Sequence, residues 1–136
     1  MMNCKNCLKK INNKRIYCSN KCQKEFEYKE YISSWKNGEV TGMRGDYQIS
    51  MNIKRYIFEK YNYKCARCGW GKINQYTNTL PLEIEHIDGN YENNKEDNLI
   101  LLCPNCHSLT STYKGANLQN GRKSRNKYYT KKGDQL

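Results

Sequence analysis

No run of apolar residues in this 136-residue sequence is long enough to cross a membrane. The first residues, MMNCKNCLKK, also lack the apolar core that a secretory signal peptide needs. We therefore expect a cytoplasmic protein without a membrane partner. A chain this short also has little apolar surface to bury, so a single small domain or two very small ones would need additional stabilisation.

Cysteine can supply that stabilisation, because the eight cysteines form four short pairs. The pairs are Cys4 with Cys7, Cys18 with Cys22, Cys65 with Cys68, and Cys103 with Cys106. A disulfide framework is the alternative that an even count would allow in a secreted protein, whereas a reducing cytoplasm favours zinc thiolates. Two pairs complete one zinc tetrahedron, so two structural Zn²⁺ sites are expected, with no coordination position open to substrate. The economical pairing joins the first two pairs and the last two, and a swapped pairing would link the two halves of the chain.

Acidic residues are too few to balance the basic ones, which leaves a net charge of +11. Residues 1–30 contain 8 basic and 3 acidic side chains, residues 31–113 contain 9 of each, and residues 114–136 contain 7 and 1. This excess at both ends of a neutral centre favours a polyanionic partner, nucleic acid above all.

Helical patterns occur in two segments. The stretch SNKCQKEFEYKEYISSWK has no glycine or proline, and its first residue, Ser19, can cap a helix that ends before Asn37 and Gly38. Apolar side chains at positions 53, 56, 57 and 61 have helical spacing behind Ser50, a second candidate cap.

A strand is predicted at LPLEIEHIDGN, where apolar and acidic residues alternate before an Asp-Gly turn at 88–89. The segment NYENNKED is too polar to be core. The apolar run NLILLCPNCH then leads into the last cysteine pair and a short helix over SLTSTYKG, ending near Gly115.

These elements predict an α+β chain in four parts. Residues 1–36 would form an N-terminal zinc-ribbon-like module with its helix, which grips nucleic acid or packs on the following domain. Residues 37–50, with three glycines, would be a linker or a loop lying across another surface. A second zinc-braced domain would occupy residues 51–116, and a basic tail residues 117–136.

Histidine is scarce, and both copies have informative neighbours. His86 follows Glu85 at the end of the predicted strand, and His107 directly follows Cys106. A lone histidine is usually structural or exposed, and His107 could instead replace Cys106 as a zinc ligand. A regular strand would send Glu85 and His86 to opposite faces, so both could serve one site only if the strand ends or bulges there.

The segments LEIEHIDGN and EDNLILLCPNCHSLT together resemble the HNH endonuclease family, in its phage and bacterial type with CxxC knuckles flanking the motif. In this resemblance His86 is the first H, Asn98 is the N and His107 is the last H, and the similarity covers roughly residues 64–116. It implies a small treble-clef-like ββα-metal core. It also implies metal-dependent hydrolysis of DNA to 5′-phosphate and 3′-hydroxyl ends.

The resemblance assigns a role to each site residue. His86 would be the general base, since a neutral imidazole can accept a proton near neutral pH, and Asn98 would hold the loop and orient that imidazole. Glu85 and His107 would bind one catalytic divalent ion, Mg²⁺, Mn²⁺ or Ni²⁺. Many relatives have Asp or His at the position of Glu85, and some have a further ligand where this chain has Ser111. Glu83 and Asp88 are substitute ligands, although a surface carboxylate and a turn residue are the simpler interpretations.

The expected partner is DNA in double-stranded form, and a homodimer would explain a double-strand cut. Four basic residues are the candidate phosphate contacts: Lys114, Arg122, Lys123 and Arg125. If a phage encodes the chain, the compartment is the host cytoplasm. Two rival interpretations stay open, a non-catalytic zinc-based DNA-binding regulator and an RNase that uses the same residues.

Overall fold

The structure, a computed structural model, describes residues 1–113, which group into two compact units, Met1–Val40 and a second that begins at Thr41. The predicted tail, the four candidate phosphate contacts from Lys114 to Arg125 and the end of the predicted last helix lie outside the described residues. Short helices and two-stranded antiparallel sheets confirm the α+β class. None of the helices between residues 1 and 113 has the length and apolar character of a membrane-spanning segment.

The elements are numbered in chain order. The first unit contains β1 (Met2–Asn3), β2 (Lys10–Ile11) and α1 (Asn20–Lys36). The second contains β3 (Met43–Arg44), β4 (Gln48–Ile49), α2 (Met51–Lys60), β5 (Glu83–His86), a 3-10 helix (Glu96–Asn98), β6 (Leu99–Leu102) and α3 (Pro104–Ser108).

The first unit pairs β1 with β2 across the first cysteine pair and then continues into α1. The Ser19 hydroxyl accepts a hydrogen bond from the backbone N–H of Cys22 at 3.2 Å, and this cap starts the helix as predicted. The helix ends at Lys36, and Gly38 follows with φ of +76°, a conformation that glycine adopts without strain. The predicted helix is therefore confirmed at both ends.

The second unit opens with a hairpin, in which β3 pairs with β4. Gly45, with φ of +64°, allows the tight connection, and the backbone N–H of Ser50 donates to the Gly42 carbonyl at 2.8 Å. The segment 37–50, predicted as a linker or a loop lying across another surface, contains this short hairpin, and its residues from Thr41 onward group with the second unit. Ser50 then caps α2, again as predicted.

The core of the second unit lies between α2 and β6. Ile53 and Ile57 on α2 are fully buried, as are Leu101 and Leu102 on β6. Burying each such side chain contributes roughly 1.5–3 kcal/mol, which fixes β6 and therefore its partner, β5. The two strands pair in register from Glu83 opposite Leu102 to His86 opposite Leu99. This ladder brings the end of β5 to the loop that precedes β6.

The last helix differs from its prediction. It spans Pro104–Ser108, beginning between Cys103 and Cys106 of the last cysteine pair, rather than the SLTSTYKG segment. Pro104 lies in its first turn, where the missing N–H costs nothing, and the Cys103 side chain accepts from the backbone N–H of Cys106. The helix therefore starts on the knuckle and places His107 in its last turn.

Candidate active site and zinc centres

The eight cysteines form two clusters, and their membership follows the economical pairing. One cluster is Cys4, Cys7, Cys18 and Cys22, and the other is Cys65, Cys68, Cys103 and Cys106. Within each cluster the four ligand sulfurs lie within 4.8 Å of one another. Neighbouring Sγ atoms are 3.4–3.6 Å apart. A disulfide would need about 2.05 Å, whereas a tetrahedron of Zn–S bonds of about 2.3 Å has edges of about 3.8 Å. The clusters therefore fit structural zinc.

Backbone hydrogen bonds lower the pKa of one cysteine in each cluster, Cys4 and Cys65. The N–H of Cys7, with smaller help from the N–H of Cys18, lowers the pKa of Cys4 to about 6. Burial alone would raise the pKa of Cys65, but backbone N–H groups, first that of Cys103, outweigh it and bring the pKa to about 6. The neighbouring thiol groups act in the opposite direction elsewhere: Cys22 raises the pKa of Cys18 to about 12, and Cys103 raises the pKa of Cys106 to about 12. Each cluster therefore favours part of the thiolate set that zinc binds, and zinc itself must displace the remaining protons.

The acidic side chains of β5 lie next to His107. Glu83 and Glu85 alternate with Ile84, so their side chains share a face, and both reach His107 on α3. Glu85 Oε2 lies 2.5 Å from His107 Nδ1, and Glu83 Oε2 lies 3.2 Å from Nε2. Glu85 is 8% exposed, and the Thr112 hydroxyl donates to its other oxygen at 2.7 Å. The Tyr113 ring stands edge-on to the imidazole at 5.2 Å.

The position of His107 Nδ1 suggests that Glu85 and His107 could bind a cation. Among described residues it is the buried side-chain nitrogen that has no hydrogen-bond partner, even though Glu85 Oε2 is only 2.5 Å away. The two atoms approach each other without the geometry of a hydrogen bond, which is understandable when both lone pairs are directed at a shared ion. One carboxylate oxygen and one imidazole nitrogen suit Mg²⁺, Mn²⁺ or Ni²⁺. The interpretation of His107 as a replacement for Cys106 is not favoured, because Cys106 is itself in the zinc cluster.

His86 points to the opposite side of β5, as strand alternation requires. Its Nε2 atom lies 2.6 Å from Oδ1 of Asn94, a residue that is 3% exposed. The segment NYENNKED was predicted to be too polar for the core, and for Asn94 that is wrong. An amide can be buried when its polar atoms have partners, and here they do.

Asn98 holds the loop between β5 and β6, rather than touching His86 directly. Its Oδ1 accepts from the N–H of Asp88 at 3.0 Å, and its Nδ2 donates to Asp88 Oδ1 at 2.9 Å and to the Asn93 carbonyl at 2.8 Å. Burial would raise the pKa of Asp88, but hydrogen bonds from Asn93, from the backbone of Asn90 and from Asn98 lower it overall. Asp88 is thus the turn residue that the simpler interpretation expected.

Sequence reasoning missed two contacts around the predicted residues, the Asn94 amide at His86 and the Thr112 hydroxyl on Glu85. Glu83, the substitute ligand named from the sequence, does approach His107. The concentration of asparagines between the Asp-Gly turn and β6 was the available signal, because asparagine side chains commonly build loops through local hydrogen bonds. Nothing comparable marks Thr112, which depends on how the chain folds back after α3.

Comparison with known proteins supplies the family. The family model described as HNH endonuclease matches residues 65–112. The H-N-H endonuclease F-TflIV of Escherichia phage T5 is 38% identical over 92 residues, which cover 66% of this chain and 40% of that protein. The Zorya protein ZorE of Escherichia coli is 27% identical over 123 residues, covering 82% of this chain and 33% of that protein. The chain thus spans well under half the length of these curated relatives, and no solved structure matches it.

The family match coincides with the structural site. It begins at Cys65, the first ligand of the second cysteine cluster, and ends at Thr112, the residue that hydrogen-bonds Glu85. Between these limits lie both histidines, the loop held by Asn98, and the β5–β6 ladder. Residues 65–112, the segment that contains the candidate site, therefore match the model of the HNH endonuclease family.

Proposed function

We propose that this chain is a metal-dependent endonuclease that hydrolyses phosphodiester bonds of double-stranded DNA, leaving 5′-phosphate and 3′-hydroxyl ends. The observation that supports it most is the buried His107 Nδ1, which has no hydrogen-bond partner and faces Glu85 on the strand that ends in His86. A buried carboxylate oxygen and an imidazole nitrogen that converge in this way are ligands that a divalent cation accepts.

Each residue has a task in this proposal. His86 accepts the proton of the attacking water, and it is the last residue of β5, directly before the turn in which the N–H of Gly89 donates to the His86 carbonyl. Glu85 and His107 hold the divalent ion, and Thr112 keeps the Glu85 carboxylate in place. When bound, such an ion supplies charge neutralisation on the phosphate and at the leaving 3′ oxygen. Asn98 holds the loop that carries Asp88.

DNA binding would come from charge outside the site. The described acidic groups of β5 would repel phosphate unless a cation lay between them, whereas the excess positive charge is found toward the two ends of the chain. We propose that Lys114, Arg122, Lys123 and Arg125 contact DNA phosphates, which makes the affinity fall as salt rises. A homodimer would let two such sites cut both strands.

The test is conversion of supercoiled plasmid to nicked or linear DNA with added Mg²⁺, Mn²⁺ or Ni²⁺, at equal zinc content. His86→Ala should lower the cleavage rate by about 10²–10⁴-fold, the usual contribution of a general base. Tyr63→Phe, which removes an exposed hydroxyl from the turn after α2, is the matched control and should cleave normally. End-labelling of the products checks the 5′-phosphate.

The alternative from another class is a non-catalytic zinc-based DNA-binding regulator. It accounts for the charge and for both cysteine clusters, but it gives His107 Nδ1 no role. That protein would bind DNA and leave the plasmid intact under every metal. Competition between DNA and RNA substrates separates the proposal from an RNase.

A further inference from the structure

The environment of His86 Nε2 has a feature that the family resemblance does not supply. The atom lies 2.6 Å from Asn94 Oδ1, and Asn94 is 3% exposed. Asn98, the asparagine of the motif, makes its hydrogen bonds to Asp88 and Asn93 instead. The direct polar partner of the imidazole is therefore a different asparagine, four residues earlier.

The orientation of the Asn94 amide is fixed at its other end. Its Nδ2 lies 3.4 Å from the carbonyl oxygen of Thr41 and 3.0 Å from the sulfur of Met43. Both of those atoms can only accept a hydrogen bond. Rotating the amide by half a turn would place its oxygen against the Thr41 carbonyl, so the NH₂ group must face the hairpin and Oδ1 must face His86.

The hairpin that holds this end is itself anchored. Thr41 and Met43 lie at the start of the second unit, on either side of Gly42, whose carbonyl accepts from the N–H of Ser50, the cap of α2. β3 and β4 pair through Met43 opposite Ile49. The position of the Asn94 amide thus depends on a segment more than fifty residues earlier in the chain.

An acceptor that faces one ring nitrogen decides which nitrogen carries the proton. Because Oδ1 has no proton to donate, Nε2 of a neutral His86 must be the protonated nitrogen, and Nδ1 keeps its lone pair. We propose that Asn94, held by the Thr41–Met43 backbone and sulfur, is a positioning residue that locks His86 in the Nε2–H tautomer. Nδ1 is then the atom that accepts the proton of the attacking water, and this catalytic half of the inference rests on the proposed function.

Tautomers can be measured without any cleavage assay. The chain has only two histidines, so histidine labelled with nitrogen-15 gives four ring signals, which His107→Gln assigns. The spectra are recorded on the full zinc-loaded chain about two pH units above the usual imidazole pKa of about 6.5. We expect His86 as one tautomer, protonated at Nε2, with a slowly exchanging Nε2–H proton.

Two variants test the cause. Asn94→Leu has a similar volume and removes the acceptor, so both tautomers should appear and the Nε2–H proton should exchange rapidly. Asn94→Asp keeps an acceptor toward His86 but sets its second oxygen against the Thr41 carbonyl, so the Nε2–H tautomer should dominate less completely than in wild type and more than in Asn94→Leu. In plasmid cleavage, Asn94→Leu should lower kcat by roughly ten- to a hundredfold with little change in KM, since an imidazole oriented only part of the time loses part of its contribution. Asn94→Asp should recover part of that loss.

The outcomes separate this inference from the proposed function. A wild-type spectrum in which His86 is protonated at Nδ1, or is a mixture, overturns the inference even if Asn94→Leu does not fold. An Asn94→Leu spectrum identical to wild type also overturns it. A single Nε2–H tautomer that is lost in Asn94→Leu supports it whether or not the protein cuts DNA, whereas plasmid cleavage that survives His86→Ala refutes the proposed general base alone.

Discussion

Asn98→Ala tests whether hydrogen bonds, rather than packing, hold the loop between β5 and β6. The substitution removes three hydrogen bonds of a side chain that is 8% exposed. A neutral hydrogen bond contributes about 0.5–1.5 kcal/mol and one to a charged group about 1.5–3 kcal/mol. The bond to Asp88 Oδ1 belongs at the lower end, because Asp88 is exposed. We therefore expect the free energy of unfolding to fall by about 3 kcal/mol.

Urea unfolding at a fixed free zinc concentration measures this loss. Trp35 and Trp70 are the two tryptophans, one in each unit, so a Trp35→Phe background leaves Trp70 to report on the second unit alone. The matched control is Asn90→Ala in the same loop, which removes a single exposed hydrogen bond to the N–H of Glu92. It should cost less than about 1 kcal/mol. If the two alanine variants lose the same free energy, the assignment of Asn98 as the main support of the loop is wrong.

The remaining predictions concern the zinc clusters and the acidic groups. Cys22→Ser should lower bound zinc from two ions per chain to one, measured by metal analysis, because the second cluster has no ligand in the first. The lowered pKa of Asp88 contributes stability above its ordinary value of 3.8 and loses it as pH falls through the lower folded value. The stability difference between wild type and Asp88→Asn should therefore shrink below about pH 4, and a difference that grows there would contradict the sign. Thr112→Val removes the hydrogen bond to Glu85 and should weaken binding of the catalytic ion by about ten- to a hundredfold in a Mn²⁺ titration, with the zinc content unchanged.

Features that depend on local chemistry were predictable from the sequence. Ser19 and Ser50 cap their helices because a hydroxyl beside an uninterrupted helical pattern satisfies free backbone N–H groups. The cysteine clusters follow from spacing, since two residues between cysteines allow both sulfurs to face one ion. β5 and its Asp-Gly turn follow from alternation and from the freedom of glycine at positive φ.

Contacts between distant segments were not predictable in the same way. The Asn94 amide contacts both His86 and Thr41, and because Thr41 lies 53 residues before Asn94, no local sequence pattern predicts that contact. The polar composition of NYENNKED predicted an exposed segment. Asn94 is nevertheless buried, because both polar atoms of its side chain have hydrogen-bond partners. The last helix was predicted over SLTSTYKG, but it begins earlier, at Pro104, because the turn between Cys103 and Cys106 starts it.

The two faces of β5 are supported by separate parts of the second unit, and this separation has a measurable consequence. Asn94, which the Thr41–Met43 segment holds, contacts His86 on one side, whereas Thr112 and His107 hold Glu85 on the other. Residues without a shared partner usually have additive effects, within about 0.5 kcal/mol. If the base and the ion ligands are positioned independently, the losses in cleavage rate from Asn94→Leu and Thr112→Val should multiply in the double variant. A double variant no slower than the worse single one would mean that both supports act through one shared element, most simply the strand itself.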